Sequence, residues 1–179
     1  MRIFKKKIFF SWILVIAFFL FLIFFITTKQ NIWTSDVRVN NLDFNKIQYI
    51  KIAGKILKIE LALTPEAQEK GLSGRKELKE NEGMLFVFNH IGQYSFWMKD
   101  MNFALDIIWL APSESGDKND LRVVYIKKNA LPESYLPAGK AGPETFSSSQ
   151  DAKYVLEVLA QFSEKNNLKV GDRVEFLSP

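Results

Sequence analysis

The sequence predicts an α+β fold: a mostly antiparallel, barrel-like β-sheet with two or three short helices, preceded by one N-terminal transmembrane helix. Three observations predict it. Ile8–Ile26 is an uninterrupted apolar run of 19 residues in which Ser11 is the one polar side chain. Beyond residue 46 the chain breaks into many short β-rich segments separated by turn residues. Helix signals there are short and few, which points to an antiparallel sheet curled toward a barrel.

The apolar run comes first. As a helix rising about 1.5 Å per residue it covers roughly 29 Å, close to the hydrocarbon thickness of a bilayer. Its Ile, Leu, Phe and Val side chains favour insertion by about 5 to 10 kcal/mol. Arg2, Lys5, Lys6 and Lys7 precede it with no acid among them, whereas Lys29, Asp36 and Arg38 follow it. The positive-inside rule then places the N-terminus in the cytoplasm and the remainder outside. A cleaved signal peptide is the competing reading. It would carry a shorter apolar region and a small-x-small site, and Thr27 to Asn31 offers no Ala-x-Ala. The chain therefore divides into a cytoplasmic basic stub (1–7), a signal anchor in the lipid bilayer (8–27), a polar tether (28–46) and an extracytoplasmic β-rich domain (47–179).

The domain opens with a hairpin signal, Gln48–Ala53 and Lys55–Leu63 about Gly54. Leu57, Ile59, Leu61 and Leu63 alternate with polar residues or Ala. Thr64-Pro65 reads as N-cap and first helical residue with Gly71 as the stop, so a short helix spans Pro65–Lys70. Gly83–Phe88 is apolar on both faces, as a central strand is. Tyr94–Lys99 and Asp106–Leu110 read as strands, Ala111–Asp120 as a polar excursion and Leu121–Lys127 as another strand. Asn129–Asp151 holds three of the six prolines and three consecutive serines, and reads as a loop insertion, mobile or lid-like. Tyr154–Leu159 is a second central strand, Ala160–Asn167 a short helix, Val170-Gly171-Asp172 a turn and Arg173–Leu177 the last strand.

Composition removes several functions. The formal charge is +4, yet the four bases of the first 27 residues meet no acid there, and the rest of the chain balances 20 bases against 20 acids. The basicity belongs to the stub beside anionic lipid, so the domain has no electrostatic footprint for nucleic acid. Zero Cys excludes disulfides, thiol catalysis and lipid attachment through cysteine. One histidine, His90, excludes multi-histidine metal sites, and no acidic cluster has calcium-loop spacing, so neither metal nor cofactor is expected.

Several blocks arrive in a familiar order: Gly71-Leu72-Ser73-Gly74-Arg75, Gly83–Phe88, Phe96-Trp97-Met98-Lys99, Leu105-Asp106-Ile107, Tyr154–Val158 and Gly171-Asp172. Together they resemble the domain of unknown function 192 family over about residues 48–177. The resemblance implies a compact β-rich α+β fold and no settled activity. The family tends to carry Met and an aromatic residue at Ser73 and Gly74, Asn-Thr at Asp100-Met101, Pro at Ala104 and a glycine near Gln161. The Pro-rich insertion is unusual for it.

Four residues are candidate ligand contacts. Strand alternation puts Trp97 and Lys99 on the face opposite Phe96 and Met98, a flat ring beside a cation that suits a sugar ring or an anion. Packing of Trp97 under a helix, with the Lys99 stem over it, is the bland alternative. Asp106 is a lone acid in an apolar stretch and needs a partner, for which Arg75 and Lys99 are candidates. Its bland alternative is a structural ion pair or a turn cap. Glu82 is read as an exposed turn acid, and Glu157 either faces the same groove or only makes the solvent face polar. Ser95 and Lys99 are too far apart along one strand for a Ser-Lys dyad.

These features favour a binding domain for a small or carbohydrate-like ligand, such as an envelope glycan, held near Arg75, Trp97, Lys99 and Asp106. A hydrolase using Asp106 with Glu82 or Glu157, and an interaction module for a membrane protein, are the alternatives. Topology is directly testable. Carbonate-washed membranes should retain the full-length 20.7 kDa chain, and protease added outside should remove the C-terminal domain. A soluble mature form starting between Thr27 and Trp33 would sink the anchor.

Overall fold

The computed structural model describes residues 44–177, apart from 116, 118, 133–143 and the side chain of Asn45. The stub, the anchor, nearly all of the tether and the centre of the Pro-rich loop lie outside the described residues. Among the described residues no helix is long and apolar enough to cross a membrane.

A 3-10 turn, Phe44–Lys46, leads into the hairpin of β1 (Tyr49–Ile52) and β2 (Lys55–Ala62). Ala53 and Gly54, both at positive φ, make its turn. Helix α1 (Pro65–Lys70) begins where the Thr64 hydroxyl accepts from the Ala67 N–H at 3.2 Å. It ends at Gly71, whose φ of 48° disfavours any residue with a side chain. A Cβ there would also meet the Phe86 ring at 3.3 Å. Strand β3 (Glu82–Gly92) follows, then β4 (Ser95–Phe96), β5 (Leu105–Pro112), β6 (Asp120–Ala130), β7 (Phe146–Ser147) and β8 (Ala152–Leu159). Helix α2 (Phe162–Lys165) and β9 (Arg173–Leu177) complete the chain.

Seven strands close a barrel in the order β1-β2-β3-β8-β5-β6-β9, with β9 returning to β1. Every pairing is antiparallel except β2 with β3. A parallel pair needs a crossover, and α1 with the turns after it supplies one. The sheet is therefore mixed. β4 and β7 form a separate two-stranded sheet.

Strand alternation sorts the core into two bodies. Ile50, Leu57, Leu85, Ile108, Val123, Leu156 and Val174 come one from each barrel strand and fill the interior. Met84, Phe86, Ile107, Trp109 and Val155 point the other way, off the outer surface of β3, β8 and β5. A cover of Leu72, Leu78, Phe96, Met98 and Phe146 buries them. The Trp109 indole donates to the Tyr94 carbonyl at 2.9 Å and ties cover to sheet. This explains why β3 and β8 read as apolar on both faces.

Two readings need correction. Only Ser95–Phe96 of the Tyr94–Lys99 segment is a strand, because the chain turns back at Lys99-Asp100 to reach β5, with Asp100 at φ 54°. The Asn129–Asp151 segment is not wholly loop either. Asn129 and Ala130 belong to β6, and buried Phe146 pairs with Phe96 across β4 and β7.

Gly83 sits where β3 and β8 press together. A Cβ there would meet the Glu157 carbonyl oxygen at 2.8 Å, with Val158 and Leu156 methyls at 3.2 and 3.3 Å. Backbone cannot swing aside as a flexible side chain can. Gly83→Ala should therefore cost about 1–3 kcal/mol in urea unfolding. An unchanged midpoint would show that the two strands are looser than described.

Candidate functional site

The outer face of β8 carries Glu157 among apolar neighbours. Register sets Glu157 between Met84 of β3 and Ile107 of β5, and Met84 in turn beside Glu60 of β2. The Glu157 residue is 4% exposed, and its Oε2 has no hydrogen-bond partner. Burial pushes its carboxyl pKa up to about 8, opposed in part by the positive charge of Arg75. Near neutral pH it is mostly a neutral acid, able to donate one hydrogen bond and accept another.

Arg75 does not rescue it. Both guanidinium ends are taken by Glu60, Nη1 to Oε1 and Nη2 to Oε2, each at 2.6 Å. This fork-on-fork pair holds Glu60 below the usual carboxylate range, chiefly through its hydrogen bonds. Glu82 and Glu157 also lie within Arg75's electrostatic reach.

Glu157 lines a pocket of about 220 Å³ between the end of α1 and the cover. Gly71 and Ser73 form one wall, and Phe86, Phe88, Tyr94, Phe96 and Trp97 bring five aromatic rings to it. Phe88 and Tyr94 stack at 3.5 Å between centroids, and Phe96 meets Phe86 edge-on at 4.9 Å. The wall is anchored: Gln68 Nε2 donates to the Val87 carbonyl at 2.8 Å, and the Ser73 hydroxyl donates to the Lys99 carbonyl at 2.8 Å. A larger cleft, about 460 Å³, lies between the β1–β2 hairpin and α2. The Lys165–Glu80 ion pair at 3.3 Å joins two of its lining residues, and no buried unpartnered polar atom lines it. The smaller pocket is the better candidate.

The four expected contacts fare differently. Trp97 lines the pocket and is 42% exposed. Arg75 stands beside it with Glu60, not Asp106, as its partner. Lys99 is exposed in the turn after the cover strand and does not line the pocket. Asp106 is on the other face of the sheet, paired with Val158 while Glu157 pairs with Ile107. It is fully buried and accepts backbone N–H groups of Asn129 (2.8 Å), Gln161 (3.3 Å) and Ser163 (2.8 Å). It is therefore a structural clasp for α2 and the end of β6. Gln161 holds φ 70° there, a conformation that suits the glycine usual in the family. The sequence carries no signal of this role for Glu60, because an acid in an alternating strand marks only a solvent face. Glu157 carried the same signal as Asp106, a lone acid among apolar residues.

Fold and site together define a class: a mixed, closed seven-stranded barrel domain with one helical crossover and a buried carboxyl beneath a small aromatic pocket on its outer face. The chain belongs to the DUF192 family, described as Uncharacterized ACR, COG1430, whose profile matches residues 48–176. Two solved structures are similar to it. One is a candidate transcription regulator from Sinorhizobium meliloti 1021, 27% identical with a TM-score of 0.59, covering 72% of this chain and 90% of that one. The other is a protein of unknown function from Novosphingobium aromaticivorans DSM 12444, 29% identical with a TM-score of 0.60, covering 76% and 90%. No curated protein matches.

The Glu157 proton has a thermodynamic signature. With its pKa raised from 4.5 to about 8, the folded domain keeps a proton that the unfolded chain releases between those values. That contribution to stability is complete below about pH 4.5 and is lost as pH rises to about 8. The slope should reach up to about 1.4 kcal/mol per pH unit in that window. Urea unfolding across it should show the decline, and Glu157→Gln should flatten it. A wild-type slope equal to the variant's would mean that the carboxyl is not held neutral.

Proposed function

We propose that this chain is a membrane-anchored, extracytoplasmic domain that binds a small ligand in the pocket over Glu157. The anchor rests on the apolar run 8–26 and the bases before it. The binding site rests on one observation: a buried carboxyl, one oxygen of which has no hydrogen-bond partner, on a residue that lines a pocket walled by aromatic rings. An unpaired buried polar atom costs free energy unless something meets it, and a ligand group is suited to do so. The volume suits a single ring or a group of that size, being below the range for drug-sized molecules. Trp97, half in solvent, favours a flat or carbohydrate-like ring laid against it.

Binding is preferred to bond cleavage because Asp106 and Glu157 occupy opposite faces of the sheet. Asp106 spends its oxygens on three backbone N–H groups. A carboxylate pair on a shared substrate does not form from these two residues. The exposed Ile56, Ile91 and Val170 belong to separate elements, which gives an interaction surface less support. The regulator description of the Sinorhizobium meliloti protein is not extended to this chain, whose 20 bases beyond residue 27 are balanced by 20 acids.

Ligand-detected NMR with a set of single-ring compounds, sugars, cyclic alcohols, amines and acids, tests the reading. At least one class should give saturation transfer with wild-type protein. Trp97→Ala should weaken it by about fivefold or more, as loss of a stacking surface does. No transfer from any class, or transfer indifferent to Trp97→Ala, would remove the pocket from consideration.

A further inference from the structure

The charges around the pocket indicate what the ligand brings to Glu157. Glu69 and Lys70, at the end of α1, line the pocket. Arg75 lies within electrostatic reach of Glu157 and is held by Glu60 of β2. Glu82 of β3 is joined by Lys79 at 3.5 Å. The neighbours across the sheet, Met84 and Ile107, carry no charge. Lys58, paired across the sheet with Glu82, also acts on Glu60, and none of Lys58, Lys70, Lys79 and Arg75 makes an ion pair with Glu157 among the described residues. An ionised Glu157 would be a buried negative charge with no cation hydrogen-bonded to it and only the distant field of Arg75 to oppose it. The aromatic walls add to the same sign, since ring faces are electron-rich and attract cations.

We propose that the ligand of this pocket presents a monocationic ammonium group to Glu157, and that this group takes the place of the carboxyl proton. The proposal rests on the pocket being the ligand site. On binding, the Glu157 O–H bond breaks and its proton passes to water. The ammonium N–H then donates to the freed carboxylate. One positive charge enters as one leaves, so the site stays neutral throughout. An anionic ligand would bring an uncompensated charge to the neutral site, and a neutral one would leave the proton where it is. Arg75 offsets the charge only in part, since its guanidinium is directed at Glu60.

The test uses the full-length chain in zwitterionic detergent, titrated calorimetrically with cyclohexylammonium and its neutral isostere cyclohexanol. At about pH 8.5 the ammonium should bind at least about tenfold more tightly. Below about pH 8 its affinity should fall by up to about tenfold per pH unit, as competition with one proton requires. Buffers of different ionisation enthalpy should report about one proton released at pH 6.5. Glu157→Gln, a mimic of the protonated acid, should erase the preference for the ammonium and keep cyclohexanol binding. Glu60→Gln frees Arg75 to turn toward Glu157 and should weaken the ammonium selectively. Equal binding of the two probes, or ammonium binding without proton release, overturns the proposal and leaves the pocket standing. Binding of neither probe also overturns it, and the single-ring NMR set then decides whether the pocket falls too.

Discussion

The outer faces of β3 and β5 are apolar like their inner faces, and β8 adds Val155 between them, so this side of the barrel cannot be left bare. Met84, Phe86, Ile107, Trp109 and Val155 together would expose a hydrophobic area of the kind soluble domains avoid. The chain meets this constraint with the excursion between α1 and β5, together with β7. Leu72, Leu78, Phe96, Met98 and Phe146 are the cover, and the Trp109–Tyr94 hydrogen bond is its pin. The pocket lies where cover, helix and sheet meet, so it is a consequence of how the second core is closed.

Two acids on adjacent strands show how position decides chemistry. Asp106 and Glu157 each interrupt an apolar strand, and each is buried. Asp106 falls on the inner side at the end of the barrel, where the backbone turns of α2 and β6 bring three N–H groups to it. Glu157 falls on the outer side, where its nearest cation is already engaged by Glu60. Hydrogen-bond donors make one carboxyl a clasp. Their absence makes the other a proton holder facing a cavity.

Local signals were readable wherever the physics is local. The hairpin about Gly54, the helix from Pro65 to Lys70 between Thr64 and Gly71, and the last strand Arg173–Leu177 stand at the positions their turn and cap residues imply. The two-faced burial of Gly83–Phe88 and Tyr154–Leu159 was legible from their largely apolar composition. The brevity of β4, the parallel pairing of β2 with β3 and the ordered ends of the Pro-rich segment were not. Each depends on which strand lies beside which, and alternation says nothing about that.

For the site, the sequence by itself determined that a lone acid in an apolar strand would need an account. It also determined membership of the DUF192 family, through blocks spaced along nearly the whole domain. Only the tertiary structure decided that Arg75 meets Glu60, that Lys99 stands off the pocket, and that Glu157 rather than Asp106 keeps an oxygen with no hydrogen-bond partner. The physical reason is that a carboxyl's partners come from residues far away in the chain. Arg75 lies 15 residues from Glu60, and the Ser163 N–H lies 57 residues from Asp106. Those distances close only when the barrel does.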